Sequence, residues 1–230
     1  MQTTLSHAPV AAPECPAIPH EYTTLSAAEV SDALDKLGLP GSALGIAPIG
    51  TEPRMLGRAF TVRYAPVDLE PGTVGDYIDD VPAGSVVVLD NAGRVDCTVW
   101  GGILTEVASR TGITGTVING ACRDGAAAGQ FGYPIFSRGR FMRTGKDRVQ
   151  VAEVNGVVSL GDVRVRPGDI LLGDGDGVVV IPRERETEVL QIALRTRAAE
   201  EKIIASFRDG KSLTDARNEH NYHTLQRIQK

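Results

Sequence analysis

Cysteine is scarce, with three residues (Cys15, Cys97, Cys122) in a chain of 230. They are too few and too scattered for a disulfide framework or a CxxC metal site, which predicts reduced thiols and a cytoplasmic chain. Aromatic residues make up only 5%. Positive charge is short as well: 24 Lys and Arg face 29 Asp and Glu, for a net charge of −5. That balance argues against a partner bound by neutralising phosphates, so no nucleic acid is expected. No apolar run approaches the roughly 18 residues of a membrane span, so no membrane partner is expected either. The N-terminus lacks a basic start followed by an apolar stretch, and no secretory signal is read there. The four histidines (His7, His20, His220, His223) all lie in the terminal segments, which disfavours a histidine zinc centre or a serine triad.

What is abundant is glycine, 26 residues, together with 42% hydrophobic residues. This combination suits many tight turns around a sheet. Residues 1–20 hold four prolines and read as a flexible leader, with ordered structure expected from about Leu25. Ser26 precedes Glu29 by three residues, a capping box, and Val30, Ala33, Leu34 and Leu37 follow at helical spacing until Gly38 and Pro40 stop the helix. Short apolar runs between turn signals then predict strands at 59–65, 85–93, 115–120, 156–165 and 169–182. Two of them, Val86–Leu89 and Val178–Ile181, are apolar at every position, as in strands covered on both faces. Residues 100–112 read as a helix with Ile103, Leu104, Val107 and Ala108 on one stripe and Gly112 as its stop. A longer helix is predicted over 184–209, with Val189, Ile192, Ala193, Ala199, Ile203 and Phe207 apolar. The polar last 20 residues give no clear pattern. The division expected is a leader (1–20), a mixed α/β core (21–182) and a C-terminal helical arm with its tail (183–230).

Chemistry concentrates in residues 86–125. Gly101 and Gly102 open the predicted helix, so free backbone N–H groups and the positive end of the helix dipole can face an anion. Arg123 and Asp124 follow a strand, at the sheet edge where open α/β sheets place ligands. Arg123 offers a planar fork for a carboxylate. Asp124 offers a hard oxygen for Mg²⁺ or Mn²⁺, ions that keep several waters and take few protein ligands. Together they would grip a small 2-oxo acid and stabilise an enolate. An Arg-Asp pair after a strand also occurs as a solvated turn or a local salt bridge.

The order of the 32–38 helix segment (DALDKLG), 57–63 (GRAFTVR), 87–90 (VVLD), Trp100-Gly101-Gly102, 112–124 (GITGTVINGACRD) and 167–182, with its PGD and DGDGVVVIP, resembles the 4-hydroxy-4-methyl-2-oxoglutarate/4-carboxy-4-hydroxy-2-oxoadipate aldolases. The regulator of ribonuclease activity A belongs to the same superfamily. The resemblance spans roughly residues 21–213. It implies a swivelling β/β/α sandwich with an N-terminal helix and a C-terminal helical arm, self-associated as trimers or hexamers. It implies divalent-metal-dependent retro-aldol cleavage of a 4-hydroxy-2-oxo acid to pyruvate, with oxaloacetate decarboxylation beside it.

Carried onto this chain, the resemblance assigns the keto-acid oxygens to Arg123 and the Mg²⁺ or Mn²⁺ to Asp124. It assigns the pyruvate carboxylate to the amides around Gly101, Gly102, Ile103 and Leu104. A glutamate of the C-terminal helix reaching a neighbouring subunit's site corresponds best to Glu200, with Glu201 adjacent. One departure is plain: the related aldolases have Asp or Glu twenty-one residues before the arginine, and here Gly102 stands there, with Glu106 a turn away. A non-catalytic binding protein of the ribonuclease-regulator kind is the alternative, while no glycine-rich nucleotide loop supports methyl transfer to a quinone precursor. Lys36 and Lys146 lie outside the 86–125 block, which disfavours Schiff-base catalysis. Asp76 is expected close to the site, and Asp79 and Asp80 on the surface. Asp90 is expected to bond the 91–100 loop, Asp174 and Asp176 to form a tight turn, and Cys122 to be a small buried hydrophobe.

Overall fold

The computed structural model describes residues 15–50, 53–70 and 72–222. The leader through residue 14, His7 and His223 lie outside the described residues. Ordered structure starts earlier than the sequence suggests. Residues His20–Thr24 form a 3₁₀ turn, because Tyr22 is fully buried and its hydroxyl donates to the carbonyl of Glu186 at 2.7 Å. Helix α1 (Ala27–Lys36) follows with the expected capping box: Ser26 Oγ accepts from Glu29 N at 3.2 Å, and Glu29 Oε2 accepts from Ser26 N at 2.7 Å. Gly38, at φ +66°, ends it.

The strands are β1 (Ala47–Pro48), β2 (Met55–Pro66), β3 (Ser85–Asp90), β4 (Gly115–Cys122), β5 (Ile135–Arg140), β6 (Val149–Val154), β7 (Val158–Leu160), β8 (Val163–Val165), β9 (Ile170–Asp174) and β10 (Gly177–Ile181). Helices α2 (Gly102–Thr111) and α3 (Gly125–Phe131) flank β4, and α4 (Glu186–Arg208) and α5 (Leu213–Glu219) end the described chain. The sheet order is β1-β5-β4-β3-β2-β9-β10, with β6 beside the far half of β2. Strands β2 to β5 are mutually parallel and the remaining pairs antiparallel. Residues 41–48 stitch the two ends of this sheet together: Ala43 N and the carbonyl of Gly41 bond β10, while Ala47 and Pro48 pair with β5. The result is a mixed α/β fold around a nearly closed sheet.

The inside of the sheet is filled by Met55, Val86, Val88, Val117, Phe136 and Leu171, plugged by the β7–β8 hairpin through Val158, Leu160, Val163 and Val165. Outside, α2 and α3 cover β3–β5 through a core containing Phe60, Val87, Leu89, Trp100, Ile118 and Tyr133. Around β9 and β10, α1 and α4 enclose Leu34, Ile170, Leu172, Ile181, Val189 and Ala193. The fully apolar Val86–Leu89 run is therefore covered on both faces, as its composition requires.

Two expected stripes are narrower than predicted. Ile103 is 82% exposed, since it sits in the first turn of α2, beyond the layer that Leu104, Val107 and Ala108 contact. Phe207 is 57% exposed, because the last turn of α4 extends past the sheet. The parallel order of β3, β4 and β5 brings their C-terminal ends to one rim, together with the 91–100 loop, and the candidate site lies there.

Candidate active site at the ends of the parallel strands

Backbone geometry builds the site first. Gly101 is the N-cap of α2, and no side chain of its own caps that helix. Instead Asp124 does so from the next connection. Asp124 adopts the left-handed conformation (φ 57°, ψ 37°), rare for a residue with a Cβ, and this folds its carboxylate back toward α2. Its Oδ2 accepts the Gly102 N–H at 2.9 Å. The N–H groups of Ile103 and Leu104 have no acceptor among the described residues, as first-turn amides of a helix do not.

Arg123 is anchored by its own N–H, which donates to the carbonyl of Trp100 at 3.0 Å. Its Nε lies 3.5 Å from Asp124 Oδ2, and the two side chains are 41% and 52% exposed. Asp124 Oδ1 carries no hydrogen bond among the described residues. Trp100 holds this arrangement from below: its indole N–H donates to Thr105 Oγ1 at 3.0 Å, and its ring stacks on Tyr133 at 6.2 Å.

The two glycines are not equivalent. A Cβ at Gly101 would lie 2.9 Å from Asp124 Oδ2 and 3.1 Å from Arg123 Nε, so only glycine leaves the pair in place. At Gly102 the nearest atoms to a Cβ would be Asp124 Cβ and Oδ2 at 3.6 Å and Ala127 Cβ at 3.8 Å, ordinary contacts. A Cβ at 102 is therefore tolerated where one at 101 is not.

The remaining expected site residues divide clearly. Gly101, Gly102, Ile103, Leu104, Arg123 and Asp124 come together. Glu200 stands on the other side of the sheet, half-buried on α4, where no hydrogen bond or ion pair joins it to Arg123 or Asp124 among the described residues. Burial, followed by the nearby Asp32 and Glu29 of α1, pushes its carboxyl above the ordinary value. Asp76 is exposed in a short 3₁₀ turn (Asp76–Asp80) whose preceding Gly75 abuts Leu104; no bond links it to the Arg-Asp pair.

Asp90 does bond the 91–100 loop, through Ala92 N at 2.9 Å, and Asp174 and Asp176 form the tight β9–β10 turn, in which Asp174 also caps α1 through Ala27 N. Cys122 is fully buried beside Ser137, and burial raises its thiol, which keeps it un-nucleophilic. One contributor escapes a sequence reading. Arg140, paired with Cys122 across β4–β5, reaches over Gly125 and donates to the carbonyl of Ile49 at 2.7 Å, adding positive charge behind Asp124. Only strand register brings it there.

The donor set fits a divalent cation in one limited way. Among the described residues no three His, Cys, Asp or Glu side chains cluster, so an all-protein cage is absent. A single free carboxylate oxygen suits Mg²⁺ or Mn²⁺ with most of its waters retained.

Comparison with known proteins agrees with this architecture. Residues 27–180 match the RraA-like family, described as Aldolase/RraA. A Legionella pneumophila protein named DlpA is 39% identical over 211 residues, covering 90% of this chain but 34% of DlpA, so the chain spans about a third of that relative. A Halalkalibacterium halodurans protein provisionally named 4-hydroxy-4-methyl-2-oxoglutarate aldolase is 36% identical over 183 residues, 79% of this chain and 84% of its own length. A crystal structure of an uncharacterized Pseudomonas syringae protein superposes with TM-score 0.80 at 41% identity, covering 88% of this chain and 99% of that one. A Streptomyces coelicolor structure, described as an unusual member of the RNase ES inhibitor RraA family, shares the fold at TM-score 0.74 and 22% identity, over 86% of this chain and 99% of its own. No helix among the described residues is long and apolar enough to cross a membrane. By fold, by matched length and by the GTVINGACRD segment that builds the site, the chain belongs to the RraA-like family.

Proposed function

We propose that this chain is a divalent-metal-dependent carbon–carbon lyase that cleaves a 4-hydroxy-2-oxo acid to pyruvate, with oxaloacetate decarboxylation as a companion activity. The observation that carries the reading is the meeting of three groups at one rim: the open amides of α2, the Arg123 guanidinium and the Asp124 carboxylate, with Gly102 N and Arg123 Nε lying 2.9 and 3.5 Å from Asp124 Oδ2.

Each group has a part. The N–H groups of Ile103 and Leu104, with the helix dipole behind them, hold the substrate's carboxylate. Arg123 donates to the 2-oxo oxygen, where negative charge grows as the C3–C4 bond breaks. Asp124 would hold Mg²⁺ or Mn²⁺ through its free Oδ1. That ion, when bound, supplies Lewis-acid stabilisation of the same developing charge. The reaction balances simply: the 4-hydroxyl loses its proton and forms a C=O bond at C4, the C3–C4 electron pair moves toward the 2-oxo oxygen to give the enolate, the C4 fragment leaves as a carbonyl compound, and a proton returns to C3 to give pyruvate.

With glycine at 102 the proton acceptor is a water or a carboxylate from elsewhere, and Glu200 of a second copy is the candidate. Ile103, 82% exposed on α2, and Met142, 76% exposed just after the Phe141 N–H that bonds the carbonyl of Cys122, flank the pair with apolar surface. Such surface supports a trimer or hexamer that closes over the site.

The test is pyruvate release from oxaloacetate and from 4-hydroxy-4-methyl-2-oxoglutarate with Mg²⁺ or Mn²⁺, against the same protein in EDTA. Metal-dependent turnover of either is the expected result. Folded protein with no turnover above buffer would assign the chain to the second reading, a binding protein of the ribonuclease-regulator type, which the missing carboxylate at Gly102 favours.

A further inference from the structure

An open cavity of about 480 Å³ lies on the same rim, walled by Gly45, Gly93, Asn119, Arg138, Gly161 and Asp162 among others. Its centre is a guanidinium held by a relay across three parallel strands. Asp90 at the end of β3 accepts from the Asn119 side-chain N–H at 2.9 Å, which fixes which way the amide faces. The Asn119 carbonyl oxygen then accepts from Arg138 Nε on β5 at 2.6 Å. Asn119 is itself only 5% exposed, and Asp90 is tied down further by the N–H groups of Ala92 and Ser159. The β4–β5 register slips between Ile118 and Ala121, so a bulge opposite Arg138 turns this amide toward the cavity.

The other guanidinium nitrogens are spare. Among the described residues Arg138 makes no ion pair, and Nε is the guanidinium nitrogen that donates a hydrogen bond. The two terminal nitrogens lie against glycine: a Cβ at Gly45 would come within 3.2 Å of one, and a Cβ at Gly161 within 2.9 Å of the other, and both glycines have positive φ (76° and 68°). Two loops are therefore shaped around an arginine whose bonding edge points into a cleft. Arg58 and Arg197, by contrast, spend their terminal nitrogens on carboxylates and carbonyls. A pre-oriented planar fork without a carboxylate is what an oxyanion site requires.

We propose that the Arg138–Asn119 cleft binds a small oxyanion, a carboxylate or phosphate group, as a site separate from the Arg123–Asp124 pair. Four residues of strand separate Asn119 from Arg123, roughly 13 Å. Asp162 stands on the rim as the one acidic group of the lining and weakens the positive field there. This assignment does not depend on the lyase reading.

Calorimetric titration of the full chain with inorganic phosphate, and separately with succinate, tests it at low ionic strength. An Arg123→Ala background removes the other anion site. Binding should persist in that background and weaken by about tenfold or more when Arg138→Gln is added. Asp162→Asn should tighten it about two- to threefold. Whichever oxyanion binds more tightly identifies the phosphate or the carboxylate source. If Arg138→Gln does not fold, Arg138→Lys keeps the charge without the fork and should still weaken binding several-fold, with the near-ultraviolet circular dichroism unchanged. The proposal is overturned by equal affinities with and without the Arg138 fork, by loss of all binding in Arg123→Ala alone, or by no binding of either oxyanion.

Discussion

The α1–α4 side of the sheet and the rim beside α2 both carry arginine–carboxylate pairs, and they use them differently. Between α1 and α4, Arg197 meets Glu29 at 2.5 Å and also donates to Thr24, while Arg58 meets Glu186 at 2.6 Å with both side chains under 15% exposed. The terminal guanidinium nitrogens there are spent on carboxylates, hydroxyls and carbonyls, and Arg58 Nε is sealed in without a partner among the described residues. At the rim Arg123 and Asp124 stand 3.5 Å apart, about half exposed, with an oxygen and two helix amides unspent. The contrast teaches that charge by itself does not single out the candidate site in this molecule. Unused hydrogen-bonding capacity held in fixed geometry does.

The contrast breaks most sharply at Asp124. Asp124→Asn keeps an acceptor for the Gly102 N–H but removes the charge, so metal-dependent turnover should fall at least about a thousandfold. The thermal midpoint should hardly move. Asp124→Ala should lose the same activity and also the α2 cap, about 1 kcal/mol by denaturant titration.

Arg197→Ala should do the reverse, leaving the rim intact and costing about 2 kcal/mol of stability. Its pH signature follows from Glu29, whose carboxyl is lowered from 4.5 to about 2, chiefly by the hydrogen bonds from Arg197. Because the folded value lies below the unfolded one, this contribution is present above about pH 4.5 and disappears as pH falls toward 2. In Arg197→Ala that part of the acid limb of a stability–pH curve should flatten.

Gly102→Asp sharpens the contrast from the other direction. A Cβ there makes only ordinary contacts, and the rim gains the carboxylate that the related aldolases carry. Turnover of 4-hydroxy-4-methyl-2-oxoglutarate should rise about tenfold without loss of fold. Unchanged rates would mean that the substrate of this chain is shaped by something other than position 102.

The smallest effect is expected at Glu200. Its raised carboxyl means that the ionised form costs stability as pH rises through the window above 4.5. Glu200→Gln should therefore stabilise the protein at pH 7 by a few tenths of a kcal/mol. If a second copy delivers Glu200 to the rim, turnover falls as well; unchanged kinetics would leave it a residue of the α1–α4 face.

Much of this was legible along the chain, for reasons local to it. The Ser26–Glu29 box, the Gly38 and Gly112 stops and the unbroken Val86–Leu89 run each state their structure within a few residues. The Arg123-Asp124 dipeptide after β4 announced the rim. Elements that rely on partners were silent: β5 reads IFSRGR, apolar for two residues and then polar and charged, and it is a strand because β4 and residues 47–48 lie on either side of it. Helix α3 is GAAAGQF, with too little side chain to show a period, and α5 depends on Ser212 capping a polar stretch. The Asp90–Asn119–Arg138 relay joins positions 29 and 19 residues apart in sequence, so only parallel register reveals it.

The way residues 41–48 lace the ends of the sheet has a consequence for assembly. Along β10 and over Ile135–Ser137 of β5 the outward-facing peptide groups already have neighbours from the same chain, which shortens the edge to which a foreign strand could zip. The self-association proposed above would then rest on side chains such as Ile103 and Met142 rather than on strand pairing at these two ends, which leaves it open to tuning by single substitutions.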